Sequence, residues 1–511
     1  MSRAREGAGV AAKMKSWPDL RARYAAGVWA APFALLPGFL LSAAFGQPSP
    51  LEPLAQLIIQ LTPVAAANVL LNFFGPLARP LALLGALAIC LPFAGCCGML
   101  APGRAPRWRW ARWALSGALA LAGAGVLALG ADEAAGVWPA LLAGVCFLPA
   151  FWLVRGFRQP APSLAGRRRA LKTLAGAALS AASIATIGAY QFWSSLGQSL
   201  LGRGDTPTPL FPFRAPASRG PGFPMAGLAP EVTPAASFYY NSKNTTDPVI
   251  PTDTWKLSVG GHVARPFRLT FAQLRALPRV DQYVTLRCVD NLPDGHLMSN
   301  ALWSGVPIAA LLRRAGPLPG AQAVILHAAD AFDEVFPLSY FADDRALLAY
   351  GINGETLTRA RGAPARAMVP GFYGFKNVKW VESIEVSASF PSGFWEAHGW
   401  TASAPHLNAR IDIARREGAD VMLAGFAFAG AMGVSAVQVQ VNGGVWQDAV
   451  LNAPALSPFA WVQWRAMLPL PRGQYTFTAR TIDAAGHVQE STVQPVYPNG
   501  ATGLDSIQVQ L

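Results

Sequence analysis

Residues 280–289 read VDQYVTLRCV, a β-prone run that predicts a strand and carries Cys288 close to its end. The chain has five cysteines, and the others all lie before residue 195 in apolar segments: Cys90, Cys96, Cys97 and Cys146. A buried cysteine commonly acts as a small hydrophobic side chain, so an ordinary core thiol is one interpretation of Cys288. The alternative is a thiolate coordinated to a bound group, because Cys288 has no disulfide partner in its half of the chain.

The sequence around this strand predicts short, mixed elements. Residues 255–263 indicate a strand, a turn and the start of a second strand, and residues 269–277 indicate a short helix capped by Thr270. Residues 308–314 predict another short helix. We therefore expect an α+β domain over 235–400 instead of alternating βαβ units.

The last part of the chain, residues 401–511, has a different pattern. Short β-rich runs alternate there with turns such as Asn442-Gly443-Gly444. The runs are Val421–Ala429, Val434–Val441, Val445–Val450, Phe459–Leu468 and Tyr475–Thr481. This spacing predicts an immunoglobulin-like β-sandwich. Residues 196–234 precede both domains as a linker, with eight prolines between 203 and 234.

The N-terminal half, residues 1–195, is predicted to be an all-α membrane anchor. The chain is 52% hydrophobic and only 14% charged, and the apolar excess lies in this half. A spanning helix needs roughly 20 apolar residues. Five segments meet that need: about 26–46, 79–100, 113–131, 135–154 and 171–192. Residues 52–76 have a polar stripe and an internal proline, so an interfacial or re-entrant position fits them better.

The net charge of +13 is placed as in membrane proteins. Basic residues precede the first span and fill the loops 104–112 and 155–172, and positive loops stay on the cytoplasmic side. Five spans therefore predict a multi-pass protein in the inner membrane of a bacterium, with its C-terminal half on the periplasmic or extracellular side. This placement identifies the lipid bilayer as the partner of the basic residues and argues against nucleic acid.

Residues 167–172 read RRRALK and are followed by an apolar stretch. The pattern resembles a bacterial twin-arginine export signal, except that Ala170 stands where an aromatic residue is usual. Such signals export proteins that are already folded, often with a cofactor inserted. The alternative is an ordinary basic anchor before the last span, which predicts the same topology.

The histidines exclude one kind of cofactor from the membrane half. All six lie after residue 235: His262, His296, His327, His398, His406 and His487. A membrane haem held by two imidazoles is therefore excluded, and no haem is predicted. Any redox centre in the C-terminal half would need a separate electron-transfer partner, such as a cytochrome or a quinone-linked protein.

Over roughly 235–500 the chain resembles the sulfite oxidase family of molybdopterin-dependent oxidoreductases, and the N-terminal anchor makes it resemble a membrane-bound bacterial member. The matching motifs appear in the family's order. They are Phe238-Tyr239-Tyr240-Asn241, Thr285-Leu286-Arg287-Cys288, Trp303-Ser304-Gly305-Val306, the stretch 347–354, the stretch 361–380 and the aromatic segment 394–400. The family combines an α+β cofactor domain with an immunoglobulin-like domain, in the order predicted above. A molybdenum–molybdopterin cofactor is therefore expected.

The resemblance also assigns roles to individual residues. Cys288 would be the molybdenum ligand, and Tyr350 would hydrogen-bond the substrate as a catalytic residue. The pterin would lie along the segment Phe238, Tyr239, Tyr240 and Asn241 and against Arg361. Its phosphate would be bound by Arg366 and by the loop that contains Lys376, Asn377, Val378 and Lys379.

Departures from the family pattern concern the substrate. Sulfite oxidases bind their dianionic substrate with several arginines, which are absent here at Asn241, at Leu292-Pro293 and between Trp461 and Trp464. A small substrate other than sulfite is therefore favoured. Asp294 and His296 follow Cys288 and would either face the pocket or lie on a solvated loop. The alternative to an enzyme is a catalytically silent binding or scaffold module with the same fold.

Overall fold

The protein is described from a computed structural model, which describes residues 207–511 except 218, 220–222, 224, 245–246 and 402–403, and scattered positions in 21–35 and 85–99. The chain divides into two compact units, residues 1–200 with 243–246 and residues 201–242 with 247–511. The predicted spans and the motif at 167–172 lie wholly or mostly outside the described residues. Among the residues that are described, no helix has both the length and the apolarity needed to cross a bilayer.

The α+β domain of the second unit contains two sheets, and three short helices accompany them. Its strands are β1 (Lys256–Gly261), β2 (Phe267–Thr270), β3 (Val280–Arg287), β4 (Met298–Pro307), β5 (Ala323–Ala328), β6 (Asp333–Pro337), β7 (Leu347–Ile352), β8 (Glu355–Thr356), β9 (Arg366–Met368) and β10 (Val381–Ser387). Its helices are α1 (Phe271–Arg275), α2 (Ile308–Ala315) and α3 (Phe394–Ala397). The short predicted helices around 269–277 and 308–314 correspond to α1 and α2.

One sheet has the order β2-β1-β10-β5-β6, in which only the β1–β10 pair is parallel. The other has the order β3-β4-β7-β8, with β9 paired to β7. Apolar side chains of β3, β4 and β7, such as Val284, Trp303 and Leu347, are fully buried. Side chains on both faces of β4 and β7 are buried, and Cys288 directly follows the end of β3.

Residues 404–511 form the sandwich domain. Its strands are β11 (Asn408–Glu417), β12 (Asp420–Phe428), β13 (Val434–Val441), β14 (Gln447–Asp448), β15 (Val450–Leu451), β16 (Val462–Leu468), β17 (Gln474–Asp483) and β18 (Asp505–Gln510). Two four-stranded sheets, β11-β12-β16-β15 and β14-β13-β17-β18, pack face to face around Val439, Trp464 and Phe477. The prediction of a β-rich C-terminal domain is confirmed. The run 445–450, predicted as one strand, instead divides between β14 and β15 in different sheets.

The described part of the predicted linker is hydrogen-bonded to the rest of the second unit. Leu210 donates to the carbonyl of Gly354, and Ala229 donates to the Asp412 carboxylate at 3.0 Å. Thr233 then donates to the carbonyl of Asn300 at 2.7 Å. These bonds fix the chain that leads directly into the aromatic segment at 238–241.

Candidate active site around Cys288

Cys288 begins a tight turn at the end of β3. Its N–H donates to the carbonyl of Leu297, and the N–H of Asn291 donates back to the Cys288 carbonyl at 3.1 Å. The side chain of Asn291 accepts from the Leu297 N–H at 2.7 Å. The turn is therefore closed on both sides, which gives the thiol one fixed position.

The thiol of Cys288 is only slightly exposed and has two polar neighbours. The Asn241 amide donates to its Sγ atom over 3.3 Å, and the Asp290 carboxylate lies 3.7 Å from the same atom. Burial, and secondly the charge of Asp290, raise the pKa of Cys288 to about 12. The protein alone therefore keeps this thiol protonated, and a bound metal cation would displace the proton and stabilise the thiolate.

The aromatic segment Phe238–Asn241 leads up to this thiol. Phe238 packs edge-on against Trp303 with ring centroids 5.4 Å apart, and Tyr239 stacks on Phe238. The Tyr239 hydroxyl lies so close to Gly374 that a Cβ there would overlap it, so a larger residue at 374 would displace the Tyr239 side chain. Tyr240 donates its hydroxyl proton to the buried carboxylate of Asp247 at 2.9 Å.

Two buried guanidinium groups lie behind this segment. Arg361 donates to the backbone carbonyls of Tyr239, Ala235 and Phe238. Arg366 donates to the carbonyls of Arg361 and Asn377, while its Nε has no partner among the described residues. Burial lowers the pKa of both arginines to about 10.

Within the described part of the chain, neither Arg361 nor Arg366 forms an ion pair with a carboxylate. Burying a cation without a counter-charge is costly, whereas a bound anion would offset that cost. The pair therefore fits the anionic pterin phosphate. The buried guanidinium groups on this side of Cys288 are of the kind that binds a phosphate through charge-assisted hydrogen bonds.

The four residues of the loop 376–379 have different surroundings. Lys379 donates to the carbonyl of Asn241 at 3.1 Å, so it joins the site. Asn377 is a supporting residue, since its side chain bonds the backbone of Val369 and Tyr373. Val378 is a core side chain.

The side chain of Lys376 does not join Lys379, Arg361 and Arg366. Its ammonium lies 2.6 Å from the Glu334 carboxylate and also pairs with Glu396. The ion pairs turn Lys376 into the protein interior and away from a phosphate role. The Lys376 side chain therefore belongs to an ion cluster with Glu334 and Glu396, and a phosphate contact of the loop 376–378 stays a prediction.

Tyr350 is also placed away from Cys288. The register pairs Gly305 with both Val280 and Ala349, so Tyr350 lies level with the start of β3, while Cys288 follows its end. Seven strand residues at about 3.3 Å each separate the two levels. Tyr350 packs instead against Phe271 and beneath Arg275. The structure therefore does not support the predicted catalytic contact of Tyr350.

Several site residues were missed at the level of sequence. Asp290 and Arg287 flank Cys288 along the chain, and that adjacency was the only available signal. Tyr373 and His406 also reach this region, where the His406 N–H donates to the Tyr373 hydroxyl. Asp294 and His296 are exposed, and His296 contacts Arg410 of the sandwich domain, which agrees with the solvated-loop alternative.

Known proteins resemble this chain in the region of the site. The sequence profile described as "Oxidoreductase molybdopterin binding domain" matches residues 244–395. The uncharacterized oxidoreductase YuiH of Bacillus subtilis is 35% identical over 146 residues, which cover 29% of this chain and 72% of that protein. This chain belongs to the molybdopterin-binding oxidoreductase family.

Two further similarities each cover about half of the chain. Sulfite oxidase of Arabidopsis thaliana is 25% identical over 332 residues, covering 52% of this chain and 84% of that protein. The crystal structure of the sulfane dehydrogenase SoxCD from Paracoccus pantotrophus aligns with a TM-score of 0.50 at 23% identity. That alignment covers 55% of this chain and 81% of the SoxCD chain, and it shows a shared fold.

The chain is a molybdopterin oxidoreductase of the sulfite oxidase type, and its cofactor is the molybdenum cofactor. When bound, that cofactor supplies a two-electron redox centre. The residues fit it: Cys288 provides a soft sulfur donor, and Arg361 and Arg366 provide cations that lack a carboxylate partner within the described region. Asn241 orients the sulfur, and Lys379 holds the backbone of Asn241.

Proposed function

We propose that this family member transfers an oxygen atom to or from a small substrate and exchanges electrons with a separate redox partner. The proposal rests on one observation. The buried thiol of Cys288 contacts the aromatic segment Phe238–Asn241, whose backbone carbonyls accept hydrogen bonds from Arg361. A catalytically silent scaffold would have no need to bury an isolated thiol beside guanidinium groups that lack a carboxylate partner among the described residues.

The proposed reaction balances with water as the oxygen source. In the oxidising direction, the substrate gains the oxygen atom of one water, two protons are released, and two electrons pass to the partner. In the reducing direction, two electrons and two protons enter, and the substrate oxygen leaves as water. The partner is proposed to be a cytochrome or a quinone-linked protein.

We further propose that the enzyme is anchored in a bacterial inner membrane with its catalytic domain on the periplasmic or extracellular side. The apolar segments before residue 195 and the basic loops between them support this topology. The RRRALK motif at 167–172 supports export of a folded, cofactor-loaded domain. A homodimer through the sandwich domain is a further expectation of this arrangement.

The substrate is proposed to be small and different from sulfite. At the position between Trp461 and Trp464 where sulfite oxidases have a substrate-binding arginine, Gln463 is buried and donates to the carbonyl of Ala229. Leu292, after Cys288, is exposed and apolar. A dianion would find no guanidinium at either position.

The test is elemental analysis of the detergent-solubilised full chain, expressed with the cofactor pathway, followed by a turnover screen. About one molybdenum per chain is expected, with turnover on sulfoxides or N-oxides exceeding that on sulfite. Folded protein without molybdenum would instead indicate a silent binding module. Sulfite as the best substrate would contradict the proposed selectivity.

A further inference from the structure

Arg287 is a buried cation next to the metal ligand that the cofactor assignment does not use. Its side chain is 1% exposed. Its guanidinium donates to the His406 carbonyl at 2.6 Å and to the Asn291 carbonyl at 3.2 Å, and its Nε has no partner among the described residues. In the described structure this guanidinium is held by the two carbonyls and by the face of the Tyr373 ring, 5.9 Å from its central carbon, and no carboxylate pairs with it beside Cys288.

The two carbonyls that Arg287 binds belong to different parts of the fold. Asn291 closes the turn that starts at Cys288. His406 lies just before the first strand of the sandwich domain, β11. One side chain therefore links the metal-binding turn to the sandwich domain.

The backbone of His406 is held from its other side as well. Its N–H donates to the hydroxyl of Tyr373 at 3.2 Å, and Tyr373 is fully buried. Tyr373 immediately precedes Gly374, against which the Tyr239 hydroxyl lies. His406 is thus clamped between the strand that carries the thiol and the turn that supports the aromatic segment.

We propose that Arg287 is a positioning residue that fixes the turn Cys288–Asn291 against the sandwich domain and that its charge favours the reduced form of the redox centre. The inference rests on the proposed function, because Cys288 must hold the metal. A cation close to a redox centre stabilises an added electron, so its removal lowers the midpoint potential. Loosening the turn would also change the geometry at the Cys288 sulfur.

The sandwich domain offers a matched control. Arg416 also donates to backbone carbonyls, those of Ala419, Leu470 and Pro471, and its Nε is likewise buried without a partner in the described structure. Its contacts all lie within the sandwich domain. Arg416→Met therefore removes a comparable set of bonds without touching the metal-binding turn.

The experiment is an EPR-monitored redox titration of the molybdenum-loaded full chain. Arg287→Met should lower the midpoint potential so that the reduced-to-oxidised ratio at a fixed potential falls about tenfold, roughly 59 mV for a one-electron couple. Arg287→Lys keeps the charge and should recover most of that shift. Arg416→Met should leave the potential and the spectrum unchanged.

If Arg287→Met does not accumulate, Tyr373→Phe provides a second test of the inference, because it removes only the hydroxyl that accepts the His406 N–H. It should change the EPR spectrum at unchanged molybdenum content. A wild-type potential in Arg287→Met, a wild-type spectrum in Tyr373→Phe, or an equal shift in Arg416→Met would overturn the inference. Wild-type protein without molybdenum would defeat the proposed function itself, which is a distinct result.

Discussion

The side-chain amide of Asn241 donates to the Sγ atom of Cys288 over 3.3 Å, so the aromatic segment ends on the thiol that the cofactor requires. Asn241 reaches this position because Arg361 holds the Tyr239 carbonyl at 2.7 Å and Lys379 holds the Asn241 carbonyl at 3.1 Å. The thiol proposed as the metal ligand and the nearby residues Arg361, Arg366 and Lys379 therefore form one hydrogen-bonded assembly. Substitution of each member acts on a different property: the metal bond, the cofactor charge or the position of the amide.

Cys288→Ser should abolish turnover, by at least about 1000-fold, and remove most of the bound molybdenum. The serine oxygen is a harder and far more basic donor than a thiolate, so it replaces the soft ligand poorly. The substitution at this buried position should lower the free energy of unfolding by only about 1 kcal/mol. Metal analysis, turnover and circular dichroism of the same preparation check this, and substantial activity in the variant would contradict the role of Cys288.

Arg366→Met should act in opposite directions on the loaded and the cofactor-free protein. Without cofactor, Arg366 is a buried cation that contacts two carbonyls and the face of Trp303 but no carboxylate among the described residues, so its removal should leave stability unchanged or raise it by about 1 kcal/mol. With cofactor, its charge offsets the phosphate, so its removal should lower molybdenum retention. Thermal unfolding of both forms gives the comparison.

Arg415→Met is the control for Arg366→Met, because Arg415 forms an exposed pair with Glu417 in the sandwich domain. It should change neither metal retention nor stability by more than about 0.5 kcal/mol. Equal molybdenum retention in Arg366→Met and Arg415→Met would argue against a phosphate-binding role for Arg366.

The sequence alone predicts the local features of the site but not its long-range contacts. A strand ending in Cys288 and an arginine pair at 361 and 366 are visible as residue types in short windows. Lys376 and Lys379 are equivalent in that view, because both follow the same turn. What separates them is the approach of Glu334 and Glu396 from distant segments, which no local pattern indicates.

Strand register explains the displacement of Tyr350 in the same way. Its motif matches the family, but the side chain's position depends on how β7 pairs with β4 and how β4 pairs with β3. Register is decided by burial across the whole sheet, so a single run such as 347–350 does not reveal it. The sandwich domain was predictable because its strands are short β-rich runs separated by turn residues, and in β17 burial alternates along the strand.

Tyr350→Phe should therefore leave kcat and KM within about twofold of the wild type. Its ring packs against Phe271 and is retained in the variant, so the stability change should stay below about 1 kcal/mol. Tyr239→Phe is the matched change within the aromatic segment and should lower turnover more. A tenfold or larger loss of kcat in Tyr350→Phe alone would restore the role predicted for Tyr350 from its motif.

The buried Glu334, which lies beside the partly buried Glu396, should make stability depend on pH. Burial, opposed by Lys376 and reinforced by Glu396, raises the pKa of Glu334 from 4.5 to about 8. The folded protein therefore keeps a proton that the unfolded chain releases above pH 4.5. The stability contributed by that proton is fully present below pH 4.5 and is lost as the pH rises through 8.

Glu334→Gln should flatten this dependence, because glutamine stays neutral over the whole range. The unfolding free energy of the wild type should fall by an amount on the order of a few kcal/mol between pH 5 and pH 8, and that of the variant by much less. Glu417→Gln, at an exposed strand end, is the control and should keep the wild-type slope. Denaturant unfolding at several pH values measures all three proteins. A variant slope equal to that of the wild type would mean that Glu334 is ionised in the fold and that Lys376 alone neutralises it.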